Sequence, residues 1–366
     1  MIPQTHVPFL ALHPGPDAEA IRAAIARVVE SGWFILGPEV EAFEREFAAI
    51  SQVPSAIGVG SGTDALALAL KALGIGPGDE VITAGMSAAF SALAIVMTGA
   101  SPVFADIDPE RMTIAPGAIE AAIGPRTRAV MPVHLYGQAA DMTAIMTIAR
   151  QHRLAVVEDC CQAHLATCDG QPVGTFGEAG AFSFYPTKNL GALGDGGAVV
   201  TADAALAERL RRLRNGGQAG RAVHVEAGVC SRLDELQAAV LRARLPYLRA
   251  WTRTRRDLAA RYRRQLDGAA IDVPSERDAG HVYHLFPVRA RDRESLRGAL
   301  AASGIETLVH YPVALPAQPA FAAWKPAACP EAGRLARDVF SLPLYPGLSH
   351  ASIDAVADAI RTHARP

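Results

Sequence analysis

Short apolar runs alternate with amphipathic stretches along the first half of the chain. The apolar runs are rich in β-branched residues and have the length of buried strands, whereas the stretches between them repeat apolar positions at helical spacing. The predicted strands are 56–59, 80–83, 102–107, 129–133, 154–158, 181–185 and 198–201, and the predicted helices are 64–73, 88–98, 115–123 and 141–152. This alternation predicts an α/β fold in which helices cover both faces of a mostly parallel sheet.

The pattern changes in the second half of the chain, where residues 202–267 are helical almost throughout. A second unit follows, with predicted strands at 282–288 and 306–310 and predicted helices near 293–303, 331–339 and 351–362. We therefore predict a large domain at 1–250, which includes the N-terminal segment, and a smaller α+β domain at 251–366. Ligands of parallel sheets bind outside the carboxyl ends of the strands, so polar residues that follow strands are the candidates for a site.

The composition argues against several classes of protein. Half of the 366 residues are apolar and 20% are charged, which predicts a packed core rather than disorder. A net charge of -2 argues against nucleic acid as a partner, and the arginines at 249–264 are expected on a solvated helix face. No apolar run approaches the ~20 residues that span a membrane. The N-terminus lacks the pattern of a signal peptide, and the five scattered cysteines fit a reducing cytoplasm.

The first segment that indicates chemistry is GVGSGTDALALAL, residues 58–70. A strand, a glycine turn and a helix follow one another here, so free backbone N–H groups and the positive end of the helix face one point. This arrangement favours a bound anion, most naturally a phosphate. Thr63 stands where a dinucleotide-binding motif has its third glycine, and no Lys-Ser/Thr pair follows as in a P-loop. A tight turn before a capped helix remains the alternative.

Two further segments place reactive side chains after predicted strands. LAVVEDCCQAH, residues 154–164, delivers Glu158 and Asp159 to the ligand edge as a metal ligand, an acid or base, or a helix cap. Cys161 and His164 lack the second ligand pair of a zinc site, so no metal is expected. In GAFSFYPTKNLGALGDGGAVVT, residues 180–201, a strand leads to Lys188 in a glycine-rich turn. Near an apolar or cationic group, this amine would lose its proton and act as nucleophile and base.

Together the three segments supply a phosphate cradle, a carboxylate and a lysine, which are the groups that bind pyridoxal phosphate. With these residues in place, the sequence resembles the DegT/DnrJ/EryC1/StrS group of sugar aminotransferases, within fold type I. The resemblance covers nearly the whole chain and rests on the motifs SGTDAL, PVFADIDPE, PVHLYGQAADM, VVEDCCQAH, FSFYPTKNLGALGDGG, SRLDELQAA and the HYP of 310–312. It implies a large domain with a mixed seven-stranded sheet and a smaller C-terminal α+β domain.

The resemblance also implies roles for individual residues. Lys188 resembles the Schiff-base lysine, Asp159 the partner of the pyridinium nitrogen and Gln162 the residue that binds the cofactor's phenolic oxygen. The expected phosphate-binding residues are Gly62, Thr63 and Ser183. The remaining expected members of the site are Ala88, Asn189 and Cys230 against the cofactor and Tyr185, Arg232, His310 and Tyr311 against the substrate.

Three positions depart from the group's usual pattern. Ala88, in SAAFS, replaces an aromatic ring that stacks on the cofactor in TFIAT-like runs, and Phe90 is expected in the core rather than in that ring's place. Cys230 replaces an asparagine that reaches the phosphate of the neighbouring subunit. Pro316 replaces a histidine on the substrate side of an HxQPA-like run. These three departures affect the prediction of the substrate more than the prediction of the cofactor.

The function implied by the resemblance is transfer of an amino group from glutamate to a nucleotide-linked keto sugar, in a cytoplasmic homodimer whose sites lie at the subunit interface. Tyr185 favours C-3 of the hexose, because members that act at C-4 tend to have histidine there. A cyclitol or other keto substrate is one alternative, and a regulatory protein that binds the cofactor without turnover is another. Lys188 argues against the related dehydratases, which have histidine at this position.

Overall fold

The computed structural model describes residues 6–365 of the chain. The helices are α1 Ala18–Ser31, α2 Pro38–Ile50, α3 Gly62–Ala72, α4 Ala89–Met97, α5 Pro116–Ala122, α6 Met142–His152, α7 Ala204–Leu213, α8 Glu235–Arg244, α9 Leu248–Leu266, α10 Arg293–Ala302, α11 Pro330–Asp338 and α12 His350–His363. The strands are β1 Ser55–Val59, β2 Glu80–Ala84, β3 Ser101–Ala105, β4 Thr127–Met131, β5 Ala155–Asp159, β6 Thr167–Cys168, β7 Gln171–Pro172, β8 Ala179–Ser183, β9 Gly197–Thr201, β10 Phe286–Arg289 and β11 Val339–Leu342.

Seven of these strands form one mixed sheet in the order β1-β9-β8-β5-β4-β2-β3. The five strands β8, β5, β4, β2 and β3 are parallel to one another, whereas β9 is antiparallel to both β8 and β1. This confirms the predicted mixed seven-stranded sheet. Successive side chains of β4 enter different cores, since Val130 packs in one cluster and Ala129 and Met131 pack in another. Apolar cores on both faces explain why the strands have continuous apolar sequences.

The C-terminal unit has a core of its own around the antiparallel pair β10–β11. The predicted boundary at residue 250 falls inside α9, which packs on α12 in this core. Val7 also belongs to this core and pairs with Ile305, so the first described residues contact the C-terminal unit rather than only the large sheet. The division at residue 250 stays a prediction.

Two predicted elements of the second half were wrong. The helical pattern of 202–267 breaks between α7 and α8, where Gly216, Gly217 and Gly220 have positive φ angles that a helix does not allow. The expected strand at 306–310 is absent: Ile305 and Leu308 each make only an isolated bridge. Leu308 is 47% exposed, so its side of the segment has no apolar layer to pack against.

The arginine-rich α9 is only partly the solvated face that its sequence predicts. Arg255 is buried, and its Nη1 donates to the carbonyl oxygens of Tyr283, His284 and Leu344 at 2.8–3.3 Å. Burial lowers the pKa of Arg255 to about 10. This side chain therefore fixes the backbone that leads from the C-terminal unit to the end of the large sheet. Among residues 6–365, the helices are too short or too polar to cross a membrane.

Candidate active site

Three chain segments meet where the central strands end. β5 ends at Asp159 and β8 ends at Ser183, and the two strands pair in parallel with Asp159 opposite Ala181. Helix α3 begins against them: a Cβ atom on Gly62 would lie 2.6 Å from the Cβ of Ser183 and 2.8 Å from the Sγ of Cys161. The structure therefore brings together the glycine turn, the carboxylate strand and the strand that leads to the lysine.

The start of α3 has the geometry of an anion site. Ser61 caps the helix, since its Oγ accepts from the N–H of Asp64 at 3.1 Å. The first intrahelical bond runs from the N–H of Ala65 to the carbonyl of Ser61, so the amides of Gly62 and Thr63 precede it. Gly197 packs on the turn so closely that a Cβ there would lie 2.3 Å from the oxygen of Ser61. The cap therefore leaves the amides of Gly62 and Thr63 available to an anion, because the capping bond uses the amide of Asp64.

Asp159 is buried and its two oxygens have different partners. Oδ2 accepts from the hydroxyl of Ser91 at 2.7 Å, and Oδ1 accepts from the N–H of Cys161 at 3.1 Å. A turn rather than a helix follows β5, so Asp159 is not a helix cap. The carboxylate is held in one orientation at the end of the sheet.

Glu158, in contrast to Asp159, is held by a larger set of hydrogen bonds in the protein interior. Its carboxylate accepts from the amides of Gly174, Phe176 and Gly177 at 2.8–3.1 Å and contacts Nε2 of His134 at 3.1 Å. Nδ1 of His134 accepts from a backbone amide, so a neutral ring carries its proton on Nε2 and donates it to Glu158. Cys160 lies close enough to complete a possible metal triad with these two residues, but the hydrogen bonds account for both of their polar ends.

Gln162 joins the end of the sheet to the C-terminal unit. Its Oε1 accepts from the N–H of Tyr136 at 2.7 Å, and its Nε2 donates to the hydroxyl of Tyr311 at 3.0 Å. The hydroxyl of Tyr136 in turn donates to the carbonyl of His310. Burial raises the pKa of Tyr311 to about 12, so this hydroxyl keeps its proton near neutral pH. The predicted residues Gln162, His310 and Tyr311 therefore lie in one hydrogen-bonded group.

Lys188 lies in a turn closed by its own N–H, which donates to the carbonyl of Tyr185 at 2.8 Å. Burial lowers the pKa of the amine, while the nearby Cys161 and Asp159 act in the opposite direction. The same amine contributes to the lowered pKa values of His284 and His310, for which burial is the larger cause. Lys188 thus faces a carboxylate and neutral imidazoles, with burial favouring its neutral form.

The side chain of Asn189 is engaged away from the sheet. Its Nδ2 donates to the carbonyl of Val282 at 3.2 Å, and its Oδ1 lies 3.3 Å from Nδ1 of His284. These contacts fasten the Lys188 turn to the C-terminal unit. Whether Asn189 also contacts a cofactor stays a prediction.

The side chains of the other predicted residues take no part in the hydrogen bonds described above for Asp159, Gln162 and Lys188. Tyr185 is 51% exposed, and Cys230 is exposed beside Arg232, which donates to its sulfur and to Asn215. Ala88 immediately precedes α4 and is half-buried. Pro316 lies in a short turn next to Leu315, whose N–H donates to the carbonyl of Gly85 near the end of β2.

The expectation that Phe90 belongs to the core was wrong. Phe90 is 61% exposed at the second position of α4, whereas Ser91 beside it is 1% exposed and reaches Asp159. Ser91 was not among the residues predicted for the site. The available signal was a pair of serines, 87 and 91, spaced one helical turn apart in an otherwise apolar segment that follows a strand.

Known proteins resemble this chain in sequence over nearly its whole length. The sequence matches the DegT/DnrJ/EryC1/StrS aminotransferase family over residues 16–361. It is 50% identical over 363 residues to the dTDP-3-amino-3,4,6-trideoxy-alpha-D-glucose transaminase of Streptomyces venezuelae, covering 97% of this chain and 95% of that protein. It is 45% identical over 365 residues to the UDP-N-acetyl-3-dehydro-alpha-D-glucosamine 3-aminotransferase of Acidithiobacillus ferrooxidans, covering 99% of each.

Solved structures share the whole fold. DesV of S. venezuelae, solved with a ketimine intermediate, has a TM-score of 0.94 and 49% identity, with 98% of each chain covered. NtdA of Bacillus subtilis, solved with bound cofactor PMP, has a TM-score of 0.91 and 33% identity, covering 97% of this chain and 84% of that one. The predicted fold type I aminotransferase architecture and the resemblance on which it rested are confirmed. The chain belongs to the DegT/DnrJ/EryC1/StrS aminotransferase family.

Proposed function

We propose that this enzyme binds pyridoxal 5'-phosphate at Lys188 and transfers an amino group from glutamate to C-3 of a nucleotide-linked keto sugar. The observation that carries the proposal is the meeting of an anion-binding helix end, a buried carboxylate and a lysine at one edge of the sheet. The two relatives are named as transaminases of nucleotide-linked 3-amino or 3-dehydro sugars, and these names support the substrate class and the position.

The groups present fit the cofactor. The amides of Gly62 and Thr63 with the hydroxyl of Ser183 suit a phosphate, and the absence of a Cβ at Gly62 allows helix α3 to approach Ser183. Asp159 offers carboxylate oxygens to a protonated pyridine nitrogen, and Gln162 has a second amide hydrogen for a phenolic oxygen. When bound, pyridoxal phosphate supplies an electron sink for the Cα–H bond of an amino acid.

Lys188 performs the proton transfer in this proposal. Burial lowers the pKa of its amine, so a larger fraction is neutral near pH 7 than for an exposed lysine. A neutral amine can accept the proton that leaves the Cα of glutamate. The ammonium that forms can then donate a proton to the sugar carbon that receives the amino group. His284 and His310 have lowered pKa values and stay neutral, so they do not add positive charge beside the ammonium that forms.

A homodimer with shared sites is part of the proposal. Cys230 is exposed, and the segment before it presents Val223, Val225 and Val229 to solvent at 40–59% exposure. Exposed apolar side chains in one short segment favour cover by a protein partner. A cytoplasmic location is also proposed, because all five cysteines are free.

The first prediction concerns the lysine that binds the cofactor. Of the chain's lysines, Lys71, Lys188 and Lys325, only Lys188 lies at the end of the sheet, so borohydride reduction with pyridoxal phosphate should modify Lys188 alone. Peptide mass mapping reads the result, with the other two lysines as internal controls. Lys188→Ala should lose the visible absorbance of the bound cofactor, and Lys188→Arg should lose it too because guanidinium stays protonated. Modification spread over all three lysines would contradict the assignment.

The second prediction concerns the position of amination. With glutamate as donor, a nucleotide-linked sugar with its ketone at C-3 should react at least about tenfold faster than its C-4 counterpart, a difference of ~1.4 kcal/mol in the barrier. Mass detection of the aminated products measures both rates. Comparable C-4 product would exclude the proposed position, and product from cyclitol ketones alone would favour the non-nucleotide alternative. Cofactor binding without amino transfer to any ketone would favour a regulatory protein.

The third prediction concerns the shared site. The protein should run at about twice the chain mass of 38.5 kDa in light scattering. Arg232→Glu places a negative charge beside Cys230, and it should weaken phosphate binding in the partner's site if that site lies there. Mixing Arg232→Glu chains with Lys188→Ala chains should then restore part of the activity, since one site of each mixed dimer carries neither change. An active monomer, or no restoration in verified mixed dimers, would refute shared sites.

A further inference from the structure

A buried chain of two hydroxyl groups ends on Asp159. The Oγ of Ser91 donates to Oδ2 of Asp159 at 2.7 Å, and the Oγ of Ser87 lies 2.9 Å from the Oγ of Ser91. Ser87, Ser91 and Asp159 are 3%, 1% and 5% exposed, so water competes little for these hydrogen bonds.

The direction of the hydrogen bonds in this chain follows from the donors available. An ionised carboxylate only accepts, so the single hydroxyl hydrogen of Ser91 is directed to Asp159. The hydrogen between the two serines must then come from Ser87. Because each bond polarises the next, the donation of Ser87 strengthens the donation of Ser91 to the carboxylate.

A second hydrogen bond, together with the one from Ser91, fixes the orientation of the Asp159 carboxylate. Oδ1 of Asp159 accepts from the N–H of Cys161, so each oxygen has one donor from a different part of the chain. Rotation of the carboxylate about its Cβ–Cγ bond would break both bonds. With Ser91 removed, the contacts that still oppose that rotation come from Cys161, two residues along the chain.

The hydroxyls also tie Asp159 to the segment that contains Ala88. Ser87 directly precedes Ala88, which is the N-cap of α4, and Ser91 is the third residue of that helix, next to the exposed Phe90. The chain has no aromatic ring at position 88. The hydroxyl pair therefore links this segment to Asp159.

We propose that Ser91, supported by Ser87, is a positioning residue that holds the Asp159 carboxylate toward the protonated ring nitrogen of pyridoxal phosphate. This rests on the proposed function, because the ring nitrogen belongs to the cofactor assigned there. The effect of Ser91 should therefore depend on that nitrogen and vanish when the nitrogen is replaced.

The test compares two cofactors in the full-length protein. Absorbance titration gives the dissociation constants of pyridoxal phosphate and of its 1-deaza analogue, in which a carbon replaces the ring nitrogen. For Ser91→Ala the constant for pyridoxal phosphate should rise about tenfold, equivalent to ~1.4 kcal/mol, while the constant for the analogue changes less than about twofold. Ser91→Thr keeps the hydroxyl and should restore binding. Ser87→Ala should show a smaller effect in the same direction.

Two controls separate positioning from folding. Thr98→Ala removes a hydroxyl hydrogen bond at the C-cap of α4, where Oγ1 donates to the carbonyl of Ile95 at 2.7 Å. This variant should leave both dissociation constants unchanged. Ser91→Cys, with a weaker donor, gives the same comparison should Ser91→Ala fail to fold, as judged by circular dichroism. An equal loss of affinity for both cofactors, or no loss for pyridoxal phosphate, would overturn the positioning role. Failure of the unmodified protein to bind pyridoxal phosphate would instead overturn the proposed function.

Discussion

The site depends on a close approach that only glycine allows. Helix α3 starts against the ends of β5 and β8, where a side chain on Gly62 would overlap Ser183 and Cys161. This contact places the positive end of a helix beside a buried carboxylate and the turn that carries Lys188. A larger residue would push α3 away from the sheet, and the anion site would separate from the other two groups. The glycine in SGTDAL is thus a packing requirement as well as a source of free amides.

A second set of contacts makes the site a joint product of both parts of the chain. Gln162 bonds Tyr311, Tyr136 bonds the backbone of His310, and Asn189 bonds the backbone of Val282. Each bond joins the large sheet or its loops to the C-terminal unit. Burial disfavours charge on the surrounding tyrosine and histidines and also lowers the pKa of Lys188, so these groups surround the Asp159 carboxylate in forms that favour neutrality. Low polarity around a lysine and a carboxylate strengthens their electrostatic influence on a bound ring.

The sequence alone predicted the parts of the site that have strict local signatures. The glycine turn before α3, the apolar runs that end at Asp159 and Ser183, and the turn around Lys188 are each written in consecutive residues. The contacts of Ser91 and Asn189 were not predictable in this way, because their partners lie far along the chain. Phe90 shows the same limit: its apolar character favours the core, but the direction of α4 turns it to solvent and turns Ser91 inward. The arginine pattern of α9 likewise did not predict that Arg255 is buried, because its burial depends on three carbonyls from other segments.

In the proposed function, the Lys188 amine moves the proton of the donor amino acid while Asp159 supports the cofactor ring. Exchange of the glutamate Cα hydrogen with deuterium from solvent, followed by NMR, measures this step without knowledge of the sugar acceptor, provided that pyridoxal phosphate and 2-oxoglutarate are present so that the amino group can return to a keto acid. We expect steady exchange by the unmodified protein, no exchange above the protein-free rate by Lys188→Ala, and greatly slowed exchange by Asp159→Asn. Exchange by Lys188→Ala at the rate of the unmodified protein would contradict the proposed function.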